Sequence, residues 1–169
     1  EENPFLGNRG IRLCLSNEDI FTEQLKALLM AGADKKLKIM LPMVTRIDEI
    51  TRARQLIEKA KSELISENIT VSDNIELGIM IETPASAIMA EVFAKHCDFF
   101  SIGTNDLVQY IMSADRGNSA VEDIYNPYNP AVLRMINKVI NDGANAGIEV
   151  SICGDLAANT DFTEILLGM

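Results

Sequence analysis

The chain has 169 residues, of which 47% are hydrophobic and 24% charged, the composition of one soluble globular domain. Its 15 lysines and arginines against 25 aspartates and glutamates give a formal net charge of −10, which argues against nucleic acid or anionic lipid as partners because both require clustered positive charge. No apolar run is long enough to cross a bilayer, and the first residues lack the pattern of a signal peptide, so we expect a cytoplasmic protein.

Capping residues and apolar periodicity predict five helices. Three of them begin where a serine or threonine is followed by an aspartate, as at a helix N-terminus. Two begin where a capping side chain precedes proline, which suits the first helical position, and these cover residues 84–96 and 130–146. In the second helix, apolar residues recur every three or four positions from 47 to 64 and so share one face. The predicted starts are Ser16 with Asp19, Thr45 with Asp48, Thr83-Pro84, Asn129-Pro130, and Thr160 with Asp161.

Four apolar runs lie between these helices: Leu37 to Val44, Ile75 to Ile81, Asp98 to Gly103, and Ile148 to Cys153. They are too apolar to alternate between core and solvent, which suits parallel strands covered on both faces. Helices and strands alternate, with one longer connection after the third strand, so we predict a parallel α/β sheet with right-handed crossovers. Four strands form either a small open sheet or half of a (β/α)8 barrel.

The two ends of the sequence indicate the extent of the domain. The sequence begins without methionine, within an apparent loop, and stops without a polar tail. We therefore expect residues 1–169 to be a single partial domain, the excised part of a larger protein.

Carboxylates follow two neighbouring strands where a parallel α/β fold binds its ligand, at the carboxyl ends of the strands. Glu82 ends the second run, and Asp106 follows the third. Two close carboxylates repel unless a cation lies between them, and oxygen ligands without histidine or thiolate suit Mg²⁺ or Mn²⁺. The alternative is that each carboxylate caps a helix or pairs with an arginine.

Two arginines stand in glycine-flanked positions from which a long side chain can turn into a cleft. They are Arg9 and Arg116, and the planar guanidinium group suits a phosphate or carboxylate. Taken singly, each is better explained as a surface arginine of an acidic protein. Together with a metal site, they suggest an anion clamp.

The three cysteines are Cys14, Cys97 and Cys153, an odd number at wide spacing, and disulfides and structural zinc are both disfavoured. Cys153 ends a predicted strand, so its thiol would face the cleft. Without a neighbouring histidine, acid catalysis fits it better than covalent catalysis. His96 precedes a strand, on the opposite face from the cleft, and we interpret it as structural.

Four blocks, in the same order as in the family, resemble the phosphoenolpyruvate-utilising enzymes. They are NPFLGNRGIR at 3–12, GIMIETPA at 78–85, DFFSIGTNDL at 98–107 and CGDLA at 153–157. The intervening stretch looks most like the branch formed by enzyme I of the sugar phosphotransferase system, and less like the pyruvate phosphate dikinase and phosphoenolpyruvate synthase branches. That stretch comprises ADRGN at 114–118, YNP at 125–127 and NPAVL at 129–133.

The resemblance implies the C-terminal phosphoenolpyruvate-binding domain, a (β/α)8 TIM barrel of which this chain holds strands four to seven. It also implies an enzyme that transfers phosphoryl from phosphoenolpyruvate to a histidine of an N-terminal domain, and then to the carrier HPr, in a homodimeric parent protein. Residues 1–169 would be inactive alone. The implied site residues are Glu82 and Asp106 for Mg²⁺, Arg9, Asn105 and Arg116 for the substrate, and Cys153 as the acid that protonates the enolate carbon.

The sequence departs from the family pattern at Asp155, where Glu is usual, at Ala158-Asn159, where Gly-Asp is usual, and at Asn8, where an aromatic residue is common. Two other classes of function stay open. One is a Mg²⁺-dependent aldolase or lyase that forms a pyruvate enolate. The other is a non-enzymatic module that binds phosphoenolpyruvate or a keto acid as a metabolic sensor.

Overall fold

The computed structural model describes residues 2–169 and contains one sheet of four parallel strands in sequence order. Neighbouring strands pair in register, so that Ile81 lies beside Ile102 and Gly103 lies beside Cys153. The carboxyl ends of the last three strands therefore meet at one edge of the sheet. The strands are β1 Leu37–Leu41, β2 Ile75–Ile81, β3 Phe99–Gly103 and β4 Glu149–Cys153.

Helices form the crossovers between the strands, as predicted for a parallel α/β fold. They are α1 Ile11–Ser16, α2 Glu18–Ala31, α3 Ile47–Ser66, α4 Pro84–Ile88, α5 Ala90–Phe93, α6 Thr104–Met112, α7 Pro130–Ala146, α8 Asp155–Ala158 and α9 Thr163–Leu167. Short 3-10 turns cover Pro4–Leu6, Ser119–Val121 and Thr160–Phe162. Within residues 2–169, no helix combines the length and apolarity that a membrane crossing requires.

The sheet has two different faces, which corrects the prediction for the outer strands β1 and β4, whereas every residue of the inner strand β3 is buried, as predicted. On one face Ile79, Ile81 and Phe100 are fully buried in the hydrophobic core that the helices complete. The other face mixes charged and small polar side chains with apolar ones, because successive residues of a strand point to opposite sides. It carries Lys38, Glu149 and Ser101 together with Met80 and Phe99. The apolar runs hid this alternation.

The sheet curls toward its polar face. Lys38 on β1 makes an ion pair with Glu149 on β4, with 2.7 Å between Nζ and Oε2. A flat sheet would hold these two strands about 14 Å apart, so the contact requires curvature. The curled parallel sheet with helices outside is the arrangement of half a (β/α)8 barrel, which decides between the two predicted architectures.

Several predicted boundaries are confirmed and others are wrong. The α7 bounds agree with the prediction, and its cap Asn129 accepts a hydrogen bond from the Ala131 N–H at 2.9 Å. The Thr83 cap is also confirmed, but residues 84–96 form two short helices instead of one. Strand β1 ends at Leu41 rather than at residue 44, because Pro42 has no N–H to continue the ladder.

Three predicted caps are displaced. The carboxylate of Glu49, not Asp48, accepts the N–H groups of Thr45 and Arg46 at 2.7 and 2.8 Å, so α3 starts one residue later than expected. Helix α2 begins after Asn17, because Ser16 belongs to the unpredicted helix α1. Residues from 160 form a 3-10 turn before α9, and the predicted long connection after β3 contains α6.

Candidate functional site

The two predicted carboxylates lie next to each other at the carboxyl edge of the sheet. Glu82 directly follows β2, and Asp106 lies in the first turn of α6, directly after β3. They are only 4% and 7% exposed. Glu82 Oε1 accepts a hydrogen bond from the Met43 N–H at 2.7 Å. Met43 has a left-handed backbone conformation, with φ of 59°, so the turn after β1 holds this N–H toward the carboxylate.

This environment changes the acidity of Glu82. Burial raises the pKa of its carboxyl group to about 7, the hydrogen bond from Met43 opposes the rise, and the negative charge of Asp106 adds to it. A buried carboxylate pair of this kind favours either a proton or a cation between its oxygens.

Both predicted arginines reach Asp106, Arg9 from the segment before α1 and Arg116 from the loop after α6. Arg9 Nη2 lies 3.1 Å from Asp106 Oδ2, and Arg116 Nη1 lies 3.8 Å from Asp106 Oδ1. Their side chains are 32% and 37% exposed, so each guanidinium group is available to an incoming anion. The structure therefore brings Glu82, Asp106, Arg9 and Arg116 together at the carboxyl edge of the sheet, where these four residues form a charged rim.

The carboxylate pair fits a hard divalent cation. Asp106 Oδ1 is buried and accepts no hydrogen bond from the described residues. No group of three or more His, Cys, Asp or Glu side chains within 2–169 is arranged to hold a metal ion, so the chain offers two carboxylates. Two carboxylates suit a hard divalent cation that completes its coordination with water and with oxygens of a bound ligand.

Asn105 and Cys153 lie at the same edge of the sheet, linked to each other through the start of α6 and the loop after β4. The Asp155 N–H donates to Asn105 Oδ1 at 3.0 Å, and Thr104 Oγ1 donates to the Cys153 carbonyl at 2.8 Å. Gly154 has φ of +96°, and a Cβ there would lie 2.4 Å from Thr104 Oγ1. Only glycine therefore fits between the start of α6 and the end of β4.

The Cys153 thiol stands on the polar face of β4 and is partly exposed. The Ser101 hydroxyl donates to its sulfur at 3.6 Å. By contrast, burial raises the pKa of the Cys97 thiol to about 12, and burial also raises the pKa of Cys14. His96 lies before β3, at the opposite end of the sheet from the carboxylates, and its carbonyl accepts from Arg54.

Sequence reasoning missed two residues that contact the arginines. The Tyr110 hydroxyl accepts from Arg9 Nη1 at 3.4 Å, and the Phe5 ring lies within 6 Å of both guanidinium carbons. Tyr110 is four residues after Asp106, so the two share a helix face. The sequence does not reveal this spacing, because it predicts a connection rather than a helix over α6, and it assigns Phe5 no role within its motif.

The fold and the charged rim together define a (β/α)-barrel protein whose ionisable side chains gather at the carboxyl ends of its strands. Residues 1–169 match the family described as "PEP-utilising enzyme, PEP-binding domain". The chain therefore belongs to the family of phosphoenolpyruvate-utilising enzymes, as the resemblance of its motifs implied.

Relatives agree with this placement, and a solved structure has a similar fold. The chain is 49% identical over all 169 residues to the phosphoenolpyruvate-protein phosphotransferases of Priestia megaterium and Listeria monocytogenes, and it spans 30% of the length of each. Its fold is similar to that of a citrate lyase from Burkholderia xenovorans, with a TM-score of 0.59 and 17% identity over 78% of this chain and 40% of that one. At that identity, the likeness concerns the fold alone.

Proposed function

We propose that this chain is the phosphoenolpyruvate-binding part of a phosphoenolpyruvate-protein phosphotransferase. The observation that carries the proposal is the convergence of two arginines and the Glu82 carboxylate on Asp106. Asp106 Oδ1 is also buried and accepts no hydrogen bond from residues 2–169. A phosphate, a carboxylate and a divalent cation are the partners that this set of charges would accept. The 49% identity to proteins of that name supports the same substrate.

In this proposal, the arginines bind and orient the substrate. Arg9 and Arg116 would contact its phosphate and carboxylate oxygens, and the Asn105 side chain would donate to one of them. Glu82 and Asp106 would hold Mg²⁺, which when bound offsets negative charge on the phosphate and the enolate. Phosphoryl transfer needs positioning and charge neutralisation more than covalent help from the protein.

Cys153 would complete the reaction as an acid. When the phosphorus–oxygen bond breaks and the phosphoryl group passes to a histidine nitrogen, the enolate of pyruvate remains. The Cys153 Sγ–H would give its proton to the enolate carbon, which forms the methyl group of pyruvate and leaves a thiolate. The Ser101 hydroxyl points its proton toward that sulfur, an arrangement that stabilises the thiolate.

The proposal extends to a parent protein of which residues 1–169 are a single partial domain, strands four to seven of the barrel. The acceptor histidine would lie in an N-terminal domain outside this sequence, and the phosphoryl group would pass on to HPr for sugar uptake. We further propose that the parent protein is cytoplasmic and homodimeric. The chain alone would then be inactive.

The test is isotope exchange between labelled pyruvate and phosphoenolpyruvate, catalysed by the parent protein with Mg²⁺. We expect exchange in the wild type and its loss in Arg116→Gln, with Arg46→Gln as the matched control. Arg46 pairs with Asp48 on the surface, where both side chains are more than two-thirds exposed. Enolisation of pyruvate without phosphoryl exchange would overturn the proposal in favour of a lyase or aldolase, and ligand binding without either reaction would indicate a sensor.

A further inference from the structure

We propose that Phe5 is a positioning residue that holds the guanidinium groups of Arg9 and Arg116 side by side before the anion arrives. The inference deepens the proposed function and rests on it. The Phe5 ring centroid lies 5.5 Å from Arg9 Cζ and 5.7 Å from Arg116 Cζ. One aromatic ring therefore contacts both arginines that approach Asp106, although they are 107 residues apart in sequence.

Packing of the hydrophobic core does not account for this ring. Phe5 is 37% exposed and does not belong to the cluster of buried side chains that holds the helices against the sheet. A large apolar residue left at the surface contributes little to stability. The contacts that distinguish Phe5 are those with the two guanidinium groups.

The segment that carries Phe5 is fixed to the site through its backbone. The Tyr110 hydroxyl donates to the Phe5 carbonyl and accepts from Arg9 Nη1 at 3.4 Å. Arg12 Nη1 donates to the carbonyls of Leu6 and Gly7, each at 3.2 Å. Because Tyr110 and Asp106 lie one turn apart on α6, the same helix positions the ring and the carboxylate.

The Phe5 ring reduces the repulsion between the guanidinium groups of Arg9 and Arg116. Two guanidinium groups repel each other, and Asp106 is the carboxylate that pairs with both. The negative face of an aromatic ring attracts cations within about 6 Å, so Phe5 offsets part of the repulsion without competing for the ligand as a further carboxylate would. Arginine side chains held in place lose less entropy when they bind an anion, which raises affinity.

The experiment measures two quantities in the parent protein: the Kd of phosphoenolpyruvate by calorimetry with Mg²⁺, and the KM and kcat of phosphoenolpyruvate–pyruvate exchange. We expect Phe5→Leu to raise both Kd and KM about tenfold, because the variant loses two cation–π contacts. We expect kcat to change less than about twofold, because the ring does not reach the reacting atoms. Phe5→Tyr keeps the aromatic face and should restore Kd and KM.

Leu6→Ala is the matched control, because Leu6 is the next residue, is 65% exposed and is also a large apolar side chain. It should leave Kd unchanged. Unchanged binding in Phe5→Leu, or failure of Phe5→Tyr to restore it, would overturn the role of the ring while leaving the proposed function intact. If the wild type binds phosphoenolpyruvate but does not exchange it, the proposed function fails and the Kd values still decide on Phe5. If the wild type does not bind it, both are overturned.

Discussion

Replacing Glu82 by glutamine should change how stability depends on pH. In the metal-free protein, burial beside Asp106 raises the pKa of Glu82 from 4.5 to about 7, so the folded state binds this proton more tightly than the unfolded state. The resulting stabilisation is fully present below about pH 4.5 and is lost as the pH rises through about 7. A shift of this size corresponds to at most about 3 kcal/mol.

The structure gives an expected magnitude for two practical conditions. Between about pH 5.5 and about pH 8, linkage predicts that the free energy of unfolding falls by about 2 kcal/mol through Glu82. Glu82→Gln keeps an oxygen that can accept the Met43 N–H and cannot ionise, so this decrease should disappear. Other carboxyl groups, such as Glu18, Glu63 and Glu76, have lowered pKa values. They change the free energy of unfolding at lower pH and do not contribute to this decrease.

Urea denaturation at both pH values, with chelator present, measures the difference between wild type and variant. Saturating Mg²⁺ should also remove the decrease in the wild type, because the cation binds the ionised carboxylates and stabilises the folded state at the higher pH. If the free energy of unfolding depends on pH in the same way in wild type and Glu82→Gln, the reasoning that burial raises the pKa of Glu82 is refuted.

Three further substitutions test the site and its framework. Gly154→Ala should destabilise the protein by about 1–3 kcal/mol and weaken substrate binding, because the new Cβ meets Thr104 at a positive φ. Gly147→Ala is its control, since φ is also positive but nothing lies within 4 Å, and urea denaturation should show a loss of only about 1 kcal/mol. Thr83→Ala should cost about 1–2 kcal/mol in the same assay, because Thr83 Oγ1 accepts from the Ser86 N–H and donates to the Val44 carbonyl; no loss would contradict its capping role. Cys153→Ala should leave Mg²⁺-dependent binding of oxalate intact and slow exchange by about 10²-fold or more, and undiminished turnover would refute the acid role.

The sequence predicted the strands and the longest helices well, because local signals define them. The pairs Thr83-Pro84 and Asn129-Pro130 marked helix starts that the structure confirms. Helix α6 escaped prediction because it begins immediately after β3, with Gly103 at its N-cap and no capping side chain. The sequence therefore places Asp106 after the third strand but does not show that a helix holds it there.

The composition of the rim could be predicted, but its geometry could not. Glu82 and Asp106 follow strands that are adjacent in sequence, so their proximity follows from a parallel sheet. The approach of Arg9 to Asp106, over a separation of 97 residues, depends on how the segment before α1 folds over the strand ends. The curl that joins Lys38 to Glu149 likewise depends on packing of the whole sheet.

The central claim is that Asp106 belongs to a metal-dependent anion site. Calorimetric titration of oxalate, a planar mimic of the pyruvate enolate, into the parent protein tests it with and without Mg²⁺. We predict binding that requires Mg²⁺, a loss of at least about tenfold in affinity in Asp106→Asn, and no loss in Asp48→Asn, whose side chain is 69% exposed. Binding that is independent of Mg²⁺, or that survives in Asp106→Asn, would contradict the account.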